Sequence, residues 1–375
     1  MVLAITDRNH PRAAGLPNAF SWWGQKLSLT GNGCAQDATR RLVNSRWWIL
    51  IVSYIACSSL LNALRKGSFM RIVSGLDMVV GAFGTLAATV FLQREGNHLC
   101  DLLADAANVA EDIYTGGLPI ELQIKAEKHC SWGRWLFKVA IVYPFGISAA
   151  CGLPMLAGFD FGLPLWPWFS GELGRISVAA IMSFLVIPIC LPVFVVFCFT
   201  LFFVEAVAIL FTILGAQFTK ARDFYDVREC LRRHVLLSQM AQMTSDVFDE
   251  AVTAFVCDLL FMPALATVIT TRMDATGFAL VGMLYLVFFY ALCLVGDGLE
   301  RSSSSLGSAA YNLYSNLLDG GSDGRIKRTL VMVVIRAHRG NTIVAFRKSM
   351  RLNLPTFSDS INKWYSTLNV LLKMP

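Results

Sequence analysis

Three acidic residues interrupt the most apolar stretches of the chain: Asp77, Glu205 and Asp258. A carboxylate at mid-bilayer costs roughly 2.5–3.5 kcal/mol on insertion scales, so each needs a partner or water. Buried structural pairing and a place beside a ligand or ions both meet that need. A second polar set lies near the C-terminus. There Asn362, Ser366, Asn369 and Lys373 form a stripe at helical spacing, beside an apolar stripe of Phe357, Ile361, Tyr365, Leu368 and Leu372. A helix that meets only lipid has no use for such a polar stripe, because a stranded polar group is expensive in hydrocarbon. A helix beside water has, which makes this stretch a candidate pore lining.

No other residues have the spacing of a reactive centre. The ten cysteines are scattered, about half of them in apolar runs, and read as small buried side chains. The histidines are isolated: His98 near Cys100 and His129 beside Cys130 fall short of the four ligands of a structural zinc site. There is no nucleotide-binding loop, no nucleophile motif and no Asn-x-Ser/Thr acceptor. The expectation is a protein that is not an enzyme, with no cofactor and no metal.

The elements that carry these residues must lie in a membrane. The 375 residues are 55% hydrophobic and 15% charged, with a mean hydropathy of +0.55, where soluble chains carry about 25% charge. About 46 mostly polar residues precede the first apolar run, too many for the leading region of a signal peptide, and none is expected. Apolar spans follow near Trp47–Leu64, Ser74–Leu92 and Trp135–Leu153, then a Pro/Gly/Trp-rich loop over 151–175. An unbroken apolar run of 43 residues, Ile176–Phe218, comes next, and further spans lie near Ala251–Thr271, Gly277–Val295 and Pro355–Lys373.

The long run would make about 65 Å of helix, twice a bilayer, so it is either two spans or one helix that leaves the membrane. Basic residues decide between them. With one span and a cytosolic N-terminus, 24 Lys and Arg fall inside and six outside. Splitting the run moves fourteen of the inside charges across. The positive-inside bias therefore favours seven spans, N-terminus in and C-terminus out. The expected order is a cytosolic tail (1–46), spans one to four (47–217) and a cytosolic helical segment (218–250). Spans five and six (251–296), a cytosolic region (297–352) and a seventh helix (353–375) complete it. The net charge of +6 is mostly a cytosolic surface effect and calls for no nucleic-acid partner.

The C-terminal third reads Ala309-Ala310-Tyr311, Lys327-Arg328, Arg336-Ala337-His338-Arg339, Leu352-Asn353-Leu354-Pro355-Thr356-Phe357 and Tyr365-Ser366. In order and spacing this resembles the signature of insect odorant receptors. Gly340 and Val344-Ala345-Phe346 depart from that pattern, in the loop between the two helical pieces. Ala216-Gln217-Phe218, with Arg232, His234, Leu236 and Leu237, is similar to a second stretch of the family, and Glu205 approximates the acid of its fourth span.

The resemblance implies an all-α membrane protein of seven transmembrane helices, with a split seventh helix lining a pore in a tetramer. The tetramer would be a ligand-gated cation channel opened by a small volatile odorant. The family's co-receptor has a much longer insert between spans four and five; here 218–247 is short, so the chain looks like an odour-tuning subunit partnered by co-receptor subunits. The family's pocket depths are held by Val80, Phe83, Tyr143, Phe145, Gly146, Ser148, Met182, Ser183, Met283 and Tyr285, residues that plain helix packing would also use. Leu368 and Leu372 take the place of its apolar gate, and Asn362, Ser366 and Asn369 would form the wetted wall. Tyr311, Lys327, Arg328, Arg336 and Arg339 fall in its shared cytosolic anchor. The same basic cluster could instead bind anionic membrane lipid or be a solvated face.

Other classes are weaker. A G-protein-coupled receptor would have the opposite orientation. A gustatory receptor of the same superfamily carries Thr-Tyr and a later Gln-Phe, where this chain has Trp364-Tyr365 followed by Asn369 and Val370. A transporter would show two matched halves with broken helices, and no internal symmetry is visible.

Overall fold

A computed structural model describes residues 15–27, 46–66, 69–156, 172–273, 276–318, 324–338, 341–346 and 348–373. These form nine helices, α1 (Leu16–Leu27), α2 (Arg46–Lys66), α3 (Phe69–Thr115), α4 (Ile120–Leu156), α5 (Glu172–Lys220), α6 (Phe224–Met273), α7 (Thr276–Leu318), α8 (Gly324–His338) and α9 (Leu354–Lys373). A hairpin of β1 (Val344–Ala345) and β2 (Met350–Arg351) joins α8 to α9, pairing Val344 with Arg351 and Ala345 with Met350.

Length explains the architecture. Helices α3, α5, α6 and α7 run 47, 49, 50 and 43 residues, about 65–75 Å each at 1.5 Å per residue. A bilayer core takes about 30 Å of that, so roughly half of each projects beyond it. The 43-residue apolar run is one helix within α5. The expected divisions at 250/251 and 296/297 fall inside α6 and α7, each of which runs through the division as one helix. Among the described residues, three helical stretches are both long and apolar enough to cross a membrane: Cys190–Lys220, Phe224–Val268 and Gly282–Ser315.

The core gathers around α5. Phe199, Phe202, Phe203, Phe211 and their neighbours between Val196 and Leu214 are buried nearly all round the helix, as expected of a central rod rather than an amphipathic surface helix. Short α1 docks there: Phe20 and Trp23 are fully buried, with the Trp23 ring 5.4 Å from those of Phe137, Phe199 and Phe202. Gly133 on α4 permits this, since a β-carbon there would collide with Phe202 and crowd the Trp23 indole nitrogen. Leu16, the first residue of α1, donates its amide to the Tyr114 hydroxyl at 3.2 Å, satisfying one of the free N–H groups of a helix start. Burial pushes that Tyr114 hydroxyl up to about 12.

Candidate functional site

Aromatic side chains from four helices meet in the bundle. The Tyr143 ring (α4) lies 4.4 Å from Phe194 (α5) and 5.8 Å from Phe288 (α7), both edge-on. Phe197 (α5) joins Phe288 at 5.3 Å and Phe255 (α6) at 6.1 Å. Edge-to-face packing suits ring quadrupoles, and it presents both faces and edges to an apolar neighbour. Ser148 is buried one helical turn and a residue beyond Tyr143, while Tyr285 and Val80 are half-buried.

The other expected pocket residues point elsewhere. Phe145 is 54% exposed and Met283 66% exposed, and Phe83 and Gly146 are also on the outside of the bundle. The reason is helical geometry: two residues along a helix turn about 200°, so Phe145 faces away from Tyr143 and Met283 away from Tyr285. Met182 and Ser183 lie on α5, but their side chains are outside the described residues, as is that of Asp77. Phe194, Phe197, Phe255 and Phe288 escaped the sequence reading, because uniformly apolar runs give no phase that separates inward from outward.

The acids divide into two situations. On α5, Glu205 Oε2 lies 3.7 Å from Nδ1 of His129. His129 Nε2 donates to the Phe202 carbonyl at 3.0 Å, and its ring stacks on Phe202 with centroids 4.9 Å apart. Burial pushes His129 down to about 4, so the ring is neutral at pH 7; with its proton on Nε2, Nδ1 has none to give Glu205, and the contact is neither an ion pair nor a hydrogen bond. Asp258 on α6 is different: it is 6% exposed, and its Oδ1 meets no donor among the described residues.

At the far ends of the long helices, the Gln217 and Arg232–His234 motifs form a knot. Arg232 reaches Asp112 and Glu229, both at 2.6 Å. Buried Arg233 donates to the Thr115 hydroxyl at 3.1 Å and to Gln217 Oε1 at 3.4 Å. Gln217 in turn donates to the Ile113 and Gly117 carbonyls at 2.6 and 3.1 Å. Three helix ends are thereby locked together by charge-assisted bonds.

The last helix begins with a cap: Asn353 Oδ1 accepts from the Thr356 amide at 3.1 Å and the Thr356 hydroxyl at 2.9 Å. The Phe357 ring packs 5.5 Å from Phe289 and 5.3 Å from Tyr290 of α7. Asn362, Ser366 and Asn369 all face out of the chain, accompanied by Tyr365 and Val370. Leu368 lies on the opposite side, 7% exposed and packed into its own bundle. By the helical rotation it stands about 160° round the helix from Ser366 and about 100° from Asn369. The Leu372 side chain is outside the described residues.

The hairpin ties this helix to the bundle. The Phe346 amide donates to the Thr253 hydroxyl of α6 at 2.6 Å, and Lys348 Nζ meets Asp246 at 2.8 Å. Asn353 donates to Glu300 of α7 at 3.2 Å, and a β-carbon on Gly296 would strike the Leu352 carbonyl. Phe346 and Lys348 take positive φ, 55° and 69°, to make the tight return. Of the expected anchor residues, Tyr311 and Arg328 are exposed and Lys327 is half-buried. The Arg336 side chain and the whole of Arg339 are outside the described residues. Beside them α8 buries Leu330 and Val333 and exposes Val331, Met332 and Ile335.

Comparison with known proteins gives the same assignment by independent routes. Two solved structures of the olfactory receptor OR5 from the insect Machilis hrabei superpose on the chain with a TM-score of 0.72 each. One covers 95% of this chain and 97% of its own at 11% identity. The other, a complex with eugenol, covers 96% and 98% at 12% identity. At such identity the likeness shows the fold. No curated protein sequence matches significantly. A family model described as "7tm Odorant receptor" matches residues 121–365, well over half of the chain, and this multi-pass membrane protein belongs to the insect odorant receptor family, whose members are ligand-gated channels and not enzymes.

Proposed function

We propose that this chain is the odour-tuning subunit of an odorant-gated, non-selective cation channel, assembled with co-receptor subunits into a heterotetramer in the plasma membrane of sensory dendrites. The observation that carries the reading is the outward polar wall of α9. Asn362, Ser366 and Asn369 face away from a chain that is otherwise strongly apolar, and only a water-filled neighbour satisfies them in a membrane. Four such helices about one axis make a wetted path, with an apolar constriction that excludes ions when narrow. The constriction expected at Leu372 belongs to this proposal; Leu368 braces the helix from behind.

A small volatile binds among Tyr143, Phe194, Phe197, Phe255 and Phe288, with Val80, Ser148 and Tyr285 at the margins. Apolar aromatic walls with few polar groups suit such ligands. Ligand-driven displacement of α6 and α7 reaches α9 through Thr253, Asp246 and Glu300. The seven-span topology, N-terminus in and C-terminus out, rests on the distribution of 24 basic residues against six. Residues 221–223 alone separate α5 from α6, which suits a tuning subunit rather than a co-receptor with its long insert.

Whole-cell recording with and without the co-receptor, during puffs of a volatile panel, tests this. Odour-evoked cation current is expected only from the pair. Full current from the chain alone would remove the co-receptor requirement, and no current from the surface-expressed pair would refute the channel reading.

A further inference from the structure

We propose that Asp258 is the polar anchor of the ligand site and selects small volatiles that carry an N–H or O–H donor. The inference rests on the channel reading above. Asp258 is 6% exposed, and among the described residues its Oδ1 accepts no hydrogen bond and no lysine, arginine or histidine pairs with it. A desolvated acceptor without a donor is expensive. The threonine hydroxyls that follow on α3 are committed to their own helix: Thr85 donates to the Gly81 carbonyl at 2.9 Å, and Thr89 to the Thr85 carbonyl at 2.8 Å.

Asp258 packs directly on the backbone of α3, in the space a side chain at residue 84 would fill. A β-carbon on Gly84 of α3 would collide with Asp258, and one on Gly81 would stand 3.9 Å from Met262 Cε. The carboxyl group also borders the aromatic cluster. Phe255, one turn before Asp258, touches Phe197 at 6.1 Å between ring centroids. Val80, one turn before Gly84, is half-buried on the same side of α3. A ligand whose body rests on the rings can therefore offer a hydroxyl or amine to Oδ1 and supply the missing donor. Supplying the missing donor to a buried, otherwise unpaired acceptor is expected to give a preference of roughly tenfold over a donor-free analogue.

The test uses the full chain with the co-receptor and a panel of small alcohols and amines, among them 2-phenylethanol and 2-phenylethylamine. Each is paired with the methyl ether or hydrocarbon of the same skeleton. Wild type, Asp258→Asn, Asp258→Ala and Gly84→Ala are compared at matched surface expression. Donor-bearing members should be roughly tenfold or more potent on the wild type, and Asp258→Ala should erase that gap while donor-free potencies stay put. Asp258→Asn keeps the shape but replaces one carboxyl oxygen with an amide NH2, so the gap should narrow; it carries the test if the alanine variant fails to reach the surface. Gly84→Ala, by displacing the carboxylate, should narrow the gap as well. Equal potency of donor-free partners on the wild type, or a gap that survives in both Asp258 variants, would overturn the assignment while leaving the channel intact. No current from any volatile would instead contradict the channel reading and remove this inference with it.

Discussion

Tyr143 and Phe145 sit two residues apart on α4 and should behave oppositely when truncated. Tyr143 is half-buried with its ring edge-on to Phe194 at 4.4 Å and to Phe288 at 5.8 Å, whereas Phe145 is 54% exposed on the far side of the helix. Tyr143→Ala removes two aromatic pairs of roughly 0.5–1.5 kcal/mol each, together with the ring area a ligand would rest on. A loss of about 1.4–2.8 kcal/mol in ligand binding corresponds to a ten- to hundredfold rise in the half-maximal odorant concentration. Phe145→Ala trims a side chain that meets lipid, so potency should not move. Concentration–response curves for each active odorant, at equal surface labelling, decide the matter, with maximal current expected to stay close to wild type in both. Unchanged potency in Tyr143→Ala for every odorant, or equal shifts in the two variants, would refute the inward–outward assignment and move the pocket elsewhere.

Three further outcomes follow from the packing. Trp23→Ala should empty a fully buried site and cost about 3–5 kcal/mol, seen as lost surface expression and a lower melting temperature in detergent. Trp23→Phe should be much milder, since the indole nitrogen donates to nothing among the described residues, and a comparable loss would contradict the packing account. His129 is held down to about 4 by burial. The unfolded chain therefore binds the proton first, and stability should fall as pH drops from 6.5 towards 4, by roughly 3 kcal/mol in all. Thermal melts of wild type against His129→Gln across that window check the sign; identical pH profiles would exclude His129 as the cause. Thr253→Val removes the Phe346 amide's bond to α6 and should reduce current at saturating odorant, while Lys348→Ala breaks only a screened ion pair and should not. Equal losses would show that the hairpin does not act through the Thr253 bond.

The large-scale plan was legible in the sequence for physical reasons. Composition alone demanded a membrane, and the charge asymmetry around the 43-residue run favoured a single span there; the run is one helix within α5. The amphipathic stripe of α9 was readable because polar and apolar residues alternate there at helical period. Inside the uniformly apolar helices that phase signal vanishes, so Phe83, Phe145 and Met283 looked no different from Phe194 and Phe288 until packing sorted them. Leu368 shows a subtler limit: an apolar residue beside a polar stripe is equally consistent with facing a pore axis or bracing the helix, and only the surrounding helices distinguish the two. Asp258 was visible as an embedded acid, but its close packing depends on Gly84 lying opposite, 174 positions away in the chain.

Cysteine substitution along α9, probed with a water-soluble, charged thiol reagent during open-channel current, tests the central claim most directly. Cysteines at Asn362, Ser366 and Asn369 should be modified rapidly with block of the current, and one at Leu368 should be protected. Rapid block at Leu368 with protection at Ser366 and Asn369 would contradict the claim, placing the ion path on the other side of the helix.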